Sequence, residues 1–182
     1  MPTLYFGVAG ALLTIMYPWL KYRALGDVDI FLNYSVIPML GTSYVASGAI
    51  TPAVLYLAVP VGLITVGILH SNNTRDMEQD ARANIKTFAM KIGGKAAARI
   101  YCVEVIFPFV WILGGIVAGV FPIWSLVTLL ALKPAMDNAK KALGYTKEGM
   151  QAMVGIDEKT AQLQLMFSLL MFVSFMAAAF LN

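Results

Sequence analysis

The sequence predicts an all-α fold, a polytopic membrane helical bundle of about six transmembrane helices forming a single membrane domain over residues 1–182. Three observations carry this. Hydrophobic residues make up 59% of the chain and charged ones only 13%, with a mean hydropathy of +0.75; a soluble domain of this size does not need so much apolar side chain. The apolar residues form continuous runs rather than an alternating pattern, which excludes a membrane barrel. All 13 lysines and arginines fall in three stretches separated by apolar sequence.

Each element follows from a run of spanning length. Residues 2–20 give the first helix. Residues 30–70 carry no charge and suffice for two, with a break near Ser47-Gly48 and Thr51-Pro52. Residues 100–132 hold a pair interrupted around Gly119 to Pro122, and about 162–181 gives the last. The fifth is the shortest: Pro122 to Leu132 reaches spanning length only if residues from Ala118 join it. Gly115 and Gly119 have the spacing of a close helix contact. Cys102 is the one cysteine, so no disulfide framework exists and a buried, inert thiol is expected.

Charge placement orients the bundle. The basic residues are Lys21 and Arg23, Arg75 through Arg99, and Lys133 through Lys159, while the loops near residues 50 and 120 contain none. This one-sided distribution puts the three basic segments on the cytoplasmic side of the cytoplasmic (inner) membrane. The net charge of +3 therefore reports topology and an anionic bilayer surface, not a nucleic-acid partner. With residue 21 inside, both termini lie outside. The first span opens almost at Met1 with no positive residue ahead of it, so it is no signal peptide. A chain opening this way reads as the later part of something larger.

The chemistry concentrates where the third span leaves the membrane, in Asn72-Asn73-Thr74-Arg75-Asp76-Met77-Glu78-Gln79-Asp80. On a continuous helix Asn72, Asp76 and Asp80 form a stripe that drifts by about 40° per step, with neighbours about 6 Å apart along the axis. Such oxygen ligands suit Mg²⁺ shared with phosphate oxygens. Arg75 offers a phosphate-pairing fork, and Lys86 adds a cation downstream. An isolated pair of aspartates at this spacing would be no more than a solvated helix face; the amides and cations around it point to a bound metal diphosphate. Lys21 and Arg23, in Tyr17-Pro18-Trp19-Leu20-Lys21-Tyr22-Arg23, are either interfacial anchors or holders of a phosphate. Glu104, about a turn inside the fourth span, is either functional or paired with a cation such as Arg99. His70 is read as an interfacial or hydrogen-bonded residue.

The run Ser71 to Gly93 resembles the second aspartate-rich motif of the UbiA superfamily of membrane aromatic prenyltransferases. In particular it resembles the branch that prenylates 1,4-dihydroxy-2-naphthoate in menaquinone synthesis. The matching positions are Asn72, Asn73, Arg75, Asp76, Asp80, Lys86, Thr87 and Gly93. Asn84-Ile85 departs from that pattern, standing where the branch has a glycine and a basic residue. Leu25-Gly26-Asp27 through Leu40-Gly41-Thr42-Ser43-Tyr44, and Tyr17-Pro18 with Lys21, are similar to segments around the family's central cytoplasmic loop. The resemblance implies a nine-helix fold of which this chain looks like the C-terminal two-thirds. The first three helices, and with them the first aspartate-rich motif, are absent. Asp27 and Asp29 do not replace that motif, because their spacing puts them on different helix faces.

The resemblance further implies transfer of a polyprenyl group from polyprenyl diphosphate to an aromatic acceptor, with Mg²⁺ as cofactor. Asp76 and Asp80 would hold the metal, aided by Asn72 and Asn73. Arg75, Lys86, Lys21 and Arg23 would neutralise the leaving group, Tyr17 would line the substrate site, and the ring of Tyr44 would steady the allylic cation. Two other readings stay open: a related transferase using another acceptor such as 4-hydroxybenzoate, and a non-enzymatic six-helix membrane protein. Because one carboxylate cluster holds a diphosphate less well than two, the 182-residue chain alone should show little or no turnover. A membrane assay with a prenyl diphosphate, Mg²⁺ and the naphthoate checks this; robust turnover contradicts it.

Overall fold

A computed structural model describes residues 2–181, and every regular element among them is helical. Helix α1 (Pro2–Lys21) leads through a tight turn into α2 (Gly26–Phe31), a π-turn over Leu32–Val36, and α3 (Ile37–Ser47). Gly48, with φ of +72°, ends α3 in the left-handed region where a glycine carries no Cβ penalty. Helix α4 (Pro52–Arg75) then crosses back, with a proline in its first turn where no intrahelical N–H is needed. The short α5 (Met77–Arg82) and α6 (Phe88–Ile92) connect it to α7 (Gly94–Val117). A 3₁₀ stretch over Ile123–Ala131 runs directly into α8 (Leu132–Leu143), and α9 (Tyr145–Glu148) and a 3₁₀ turn (Gly149–Met153) precede α10 (Ile156–Leu181).

Four of these helices, α1, α4, α7 and α10, are long and apolar enough to cross a membrane. Two further rods, residues 26–47 and 123–143, change helix type along their length. Neither rod is among those four, so two of the six expected spans are not matched. In place of the fifth, the chain turns after α7, starts its helical rod at Ile123 rather than Ala118, and continues past Leu132 into the charged α8. Gly119 is likewise no packing residue: its φ of +71° makes it the turn after α7, with open space around it. Gly115 does serve packing, since a Cβ there would lie 2.3 Å from the Phe121 ring.

Helix α4 is the hub, packed against α2, α7 and α10. The core that joins them contains Ile64, Tyr101, Val105, Ile112, Leu163 and Phe167. Lipid offers no hydrophobic drive between helices, so small residues and internal hydrogen bonds hold them. The Tyr101 and Thr160 hydroxyls lie 2.7 Å apart between α7 and α10, and Ser35 donates to the Ala58 carbonyl at 2.6 Å. Where α2 meets α4 the contact is closer still. A Cβ on Gly62 would fall 2.6 Å from the Phe31 ring and 3.1 Å from Ser35 Cβ. Gly62→Ala should therefore cost about 1–3 kcal/mol through overpacking, read as a lowered melting temperature in detergent; an unchanged melting temperature contradicts this account of the α2–α4 contact.

Candidate functional site

The ends of α1 and α4 and the starts of α7 and α10 meet at one end of the bundle, where the motif residues collect. Helix α4 does not run on through the motif. It stops at Arg75, and Asp76 takes φ −95° and ψ 12°, after which α5 begins. The carbonyl–amide pattern survives the break, with Asp76 N–H donating to Asn72 and Asp80 N–H to Asp76, both at 2.9 Å. The expected continuous stripe is thus two short segments joined at Asp76, because this backbone step leaves the helical region.

Arg75 fixes that joint. Its Nε and Nη2 donate to the two Asp76 carboxylate oxygens at 2.7 and 2.9 Å, and its Nη1 donates to Asp157 Oδ2 at 2.6 Å. Asn72 lies beside the same Asp157. Asp157 sits in the first turn of α10, and sequence reading missed it. The available signal was an acid opening the last span at the same membrane face as an arginine that needs a partner. Arg75 is therefore bound up in a bidentate pair and a cross-link to α10, rather than free for a phosphate.

Asp80 differs. Among the described residues its side chain has no ion-pair or hydrogen-bond partner. Burial lifts its carboxyl above the usual carboxylate range; Lys21 opposes that lift and Asp76 reinforces it. Lys21 thus shares the motif's face of the bilayer. Asn73 is only 3% exposed and its side-chain oxygen has no partner. An unpaired carboxylate, an orphaned amide oxygen and the carboxylate of Asp76 make a hard oxygen donor set that fits Mg²⁺.

At the same end of the bundle a cavity of about 400 Å³ is lined by Tyr22, Arg23, Lys86, Thr87, Met90 and Lys91. Arg23 also stacks on Trp19, its guanidinium carbon 4.1 Å from the ring centroid. Arg23 and Lys86, far apart in sequence, are brought together; Asp76 and Asp80 are not among the lining residues. Tyr17 packs near Gly26 at the same end. Tyr44 does not join them. It lies near the end of α3 against Phe6, with ring centroids 6.2 Å apart, and the 24 residues of α4, about 36 Å of helix, separate that end from the motif.

Other motif positions answer to the backbone. Asn84 has φ of 57°, a left-handed conformation that asparagine tolerates best after glycine, so a glycine-to-asparagine departure there keeps the turn. Thr87 caps α6 by accepting from the Met90 amide, and Gly93 has φ of 84° at the joint with α7. Glu104 does not pair with Arg99, which is exposed. Its Oε1 lies 3.1 Å from Nδ1 of His70, and Asp27 Oδ2 lies 3.0 Å from the same nitrogen. His70 is fully buried, so of the two expectations, interfacial or hydrogen-bonded, the first does not hold. For the second, neither ring nitrogen has a hydrogen-bond partner among the described residues.

The chain is thus an all-helical bundle with membrane-spanning helices and a cluster of carboxylates, amides and cations at one end. Residues 1–141 match the UbiA prenyltransferase family, and the chain belongs to it. It is 35% identical to the UbiA prenyltransferase domain-containing protein 1 of Danio rerio over 82% of this chain and 42% of that protein. The identity to the Homo sapiens protein of the same name is 30%, over 91% of this chain and 47% of that one. The chain thus spans less than half the length of these curated relatives. A solved structure described as digeranylgeranylglyceryl phosphate synthase shares the fold with a TM-score of 0.74, at 18% identity, covering 96% of this chain and 61% of that one.

Two predictions follow from the Arg75 cross-link and the Asn84 turn. Asp157→Asn, at a partly exposed pair, should cost about 1 kcal/mol of stability, and no shift in thermal unfolding contradicts the cross-link. Asn84→Val should cost about 1–2 kcal/mol, since a β-branched residue resists positive φ, whereas Asn84→Gly should be nearly neutral in the same measurement.

Proposed function

We propose that this chain carries the second carboxylate cluster of a membrane prenyltransferase that moves a polyprenyl group from its diphosphate to an aromatic acceptor. The acceptor we favour is 1,4-dihydroxy-2-naphthoate of menaquinone synthesis, on the motif resemblance. The single observation that carries the reading is the collection, at one end of the bundle, of a cationic cavity containing Arg23 and Lys86 and of the unpartnered carboxylate of Asp80, which feels the charge of Lys21. That collection lies at the polar end of an apolar bundle, so an ionic head can be gripped while its greasy tail stays among the helices.

In this mechanism Asp80, Asp76 and the Asn73 amide oxygen would hold Mg²⁺. The metal, when bound, neutralises negative charge that gathers on the leaving diphosphate. Lys21, Arg23 and Lys86 aim fixed positive charge at the same oxygens, where charge grows as the allylic C–O bond breaks. Arg75 acts through position: its fork fixes the Asp76 carboxylate and ties it to α10. The bundle excludes water from the allylic cation, which the acceptor ring then attacks. The naphthoate ring regains its aromaticity by releasing its carboxylate as CO₂, and the diphosphate leaves with the electron pair of the broken C–O bond. Tyr44 is too distant from the motif to serve at that step in this arrangement.

We read residues 1–182 as one membrane domain that works together with a first aspartate-rich segment and its three helices, in the inner membrane with the site facing the cytoplasm. The test uses the chain itself. In detergent, calorimetric titration with geranylgeranyl diphosphate and Mg²⁺ should show binding that chelation with EDTA abolishes. Asp80→Asn should weaken that binding by roughly tenfold or more. Binding that ignores both changes would sink the reading. In an enzyme completed with the first segment, Asp76→Asn should lower turnover strongly, and the naphthoate should outcompete 4-hydroxybenzoate as acceptor.

A further inference from the structure

About 9 Å deeper along α4 than Asp76, counted as six residues of helix rise, three side chains from three helices converge. They are Asp27 of α2, His70 of α4 and Glu104 of α7, with one donor atom from each lying within 4.8 Å of the others. His70 is 0% exposed and Glu104 7%. Two carboxylate oxygens flank the same imidazole nitrogen, Nδ1, at 3.0 and 3.1 Å. A single ring nitrogen can direct at most one N–H at one oxygen. Here it directs it at neither: Nδ1 makes no hydrogen bond, and Nε2 and Glu104 Oε2 have no partner either. The oxygens sit at contact distance but off the hydrogen-bond direction.

Such a set costs free energy unless something fills its centre. A proton on the imidazole leaves the trio at a formal charge of −1 inside the bundle, and a neutral imidazole leaves it at −2. A divalent cation between the three brings two carboxylates and a neutral imidazole to zero. Its geometry also fits: ligand atoms about 2.1 Å from a metal lie about 3.0 Å apart at right angles and about 3.4 Å apart at the tetrahedral angle. We propose that Asp27, His70 and Glu104 form a binding site for a divalent transition-metal ion that cross-links α2, α4 and α7. The donor set of one imidazole and two carboxylates selects a first-row transition ion over Mg²⁺ or Ca²⁺, whose ligands are oxygens. The site goes beyond the diphosphate reading and does not depend on it.

The chain contains a single histidine, which makes the test clean. The full chain is purified without a histidine tag, stripped with chelator, loaded with Mn²⁺ alone and studied by pulsed EPR. Modulation from a coordinated imidazole nitrogen can then come only from His70. The expected result is that modulation in the wild type, kept in Asp80→Asn and lost in His70→Gln. Asp27→Asn should weaken Mn²⁺ binding at this site by at least about tenfold, more than loss of an outer-shell partner does. If His70→Gln fails to fold, the wild-type spectrum decides by itself. Bound Mn²⁺ with no nitrogen modulation, no Mn²⁺ binding, or modulation that survives in folded His70→Gln would each overturn the site. Loss of diphosphate binding in Asp80→Asn with the nitrogen signal intact would leave both readings standing separately.

Discussion

Hydrocarbon does not tolerate an unpaired charge, and that constraint places the ionisable side chains of this molecule. Lys21, Arg23, Arg75 and Lys86 gather at one end of the bundle with Asp76, Asp80 and Asp157, while Asp29 and Glu104 are buried with carboxylate oxygens that have no partner. Arg75 is where the constraint is satisfied most completely. It neutralises Asp76 through a fork and reaches α10 through Asp157. The end of α4, the start of α5 and the start of α10 are thereby held as one unit. Removing either acid would leave the guanidinium under-partnered at the membrane face.

That tie also divides the labour among the motif residues. Asp76 is held by its neighbour, whereas Asp80 is not, and the difference separates a positioned carboxylate from an available one. Thr87, Gly93 and Asn84 contribute through backbone conformation, shaping the loop that carries Lys86 to the cavity shared with Arg23. A motif that looks uniformly chemical in one dimension is thus half scaffold in three.

Much of this was legible in the sequence, for identifiable reasons. The all-helical class and the common end shared by Lys21, Arg75 and Asp80 followed from the apolar runs and from charge placement, whereas four of the six expected spans are helices long and apolar enough to cross a membrane. The break at Asp76 was not legible, because an i, i+4 spacing is compatible with both a continuous helix and a kink at its middle. Asp157 lies 82 residues from Arg75, and no local pattern encodes that pairing. His70 and Glu104 each drew attention singly as polar groups in apolar surroundings, yet only the packing of α2, α4 and α7 reveals that they share a centre with Asp27. The role given to Tyr44 failed on distance, since aromatic residues occur at both ends of a membrane bundle and their chemistry alone does not say which end.

The central claim is that the cationic cavity and Asp80 together hold the head of an isoprenoid diphosphate. The most direct measurement is an experimental structure of the chain with Mg²⁺ and a non-hydrolysable geranylgeranyl thiolodiphosphate. The account predicts diphosphate density bounded by Asp80, Lys21, Arg23 and Lys86, with the isoprenoid running into the bundle. Density at the Tyr44 end, or a head group in contact with none of those four side chains, would contradict it.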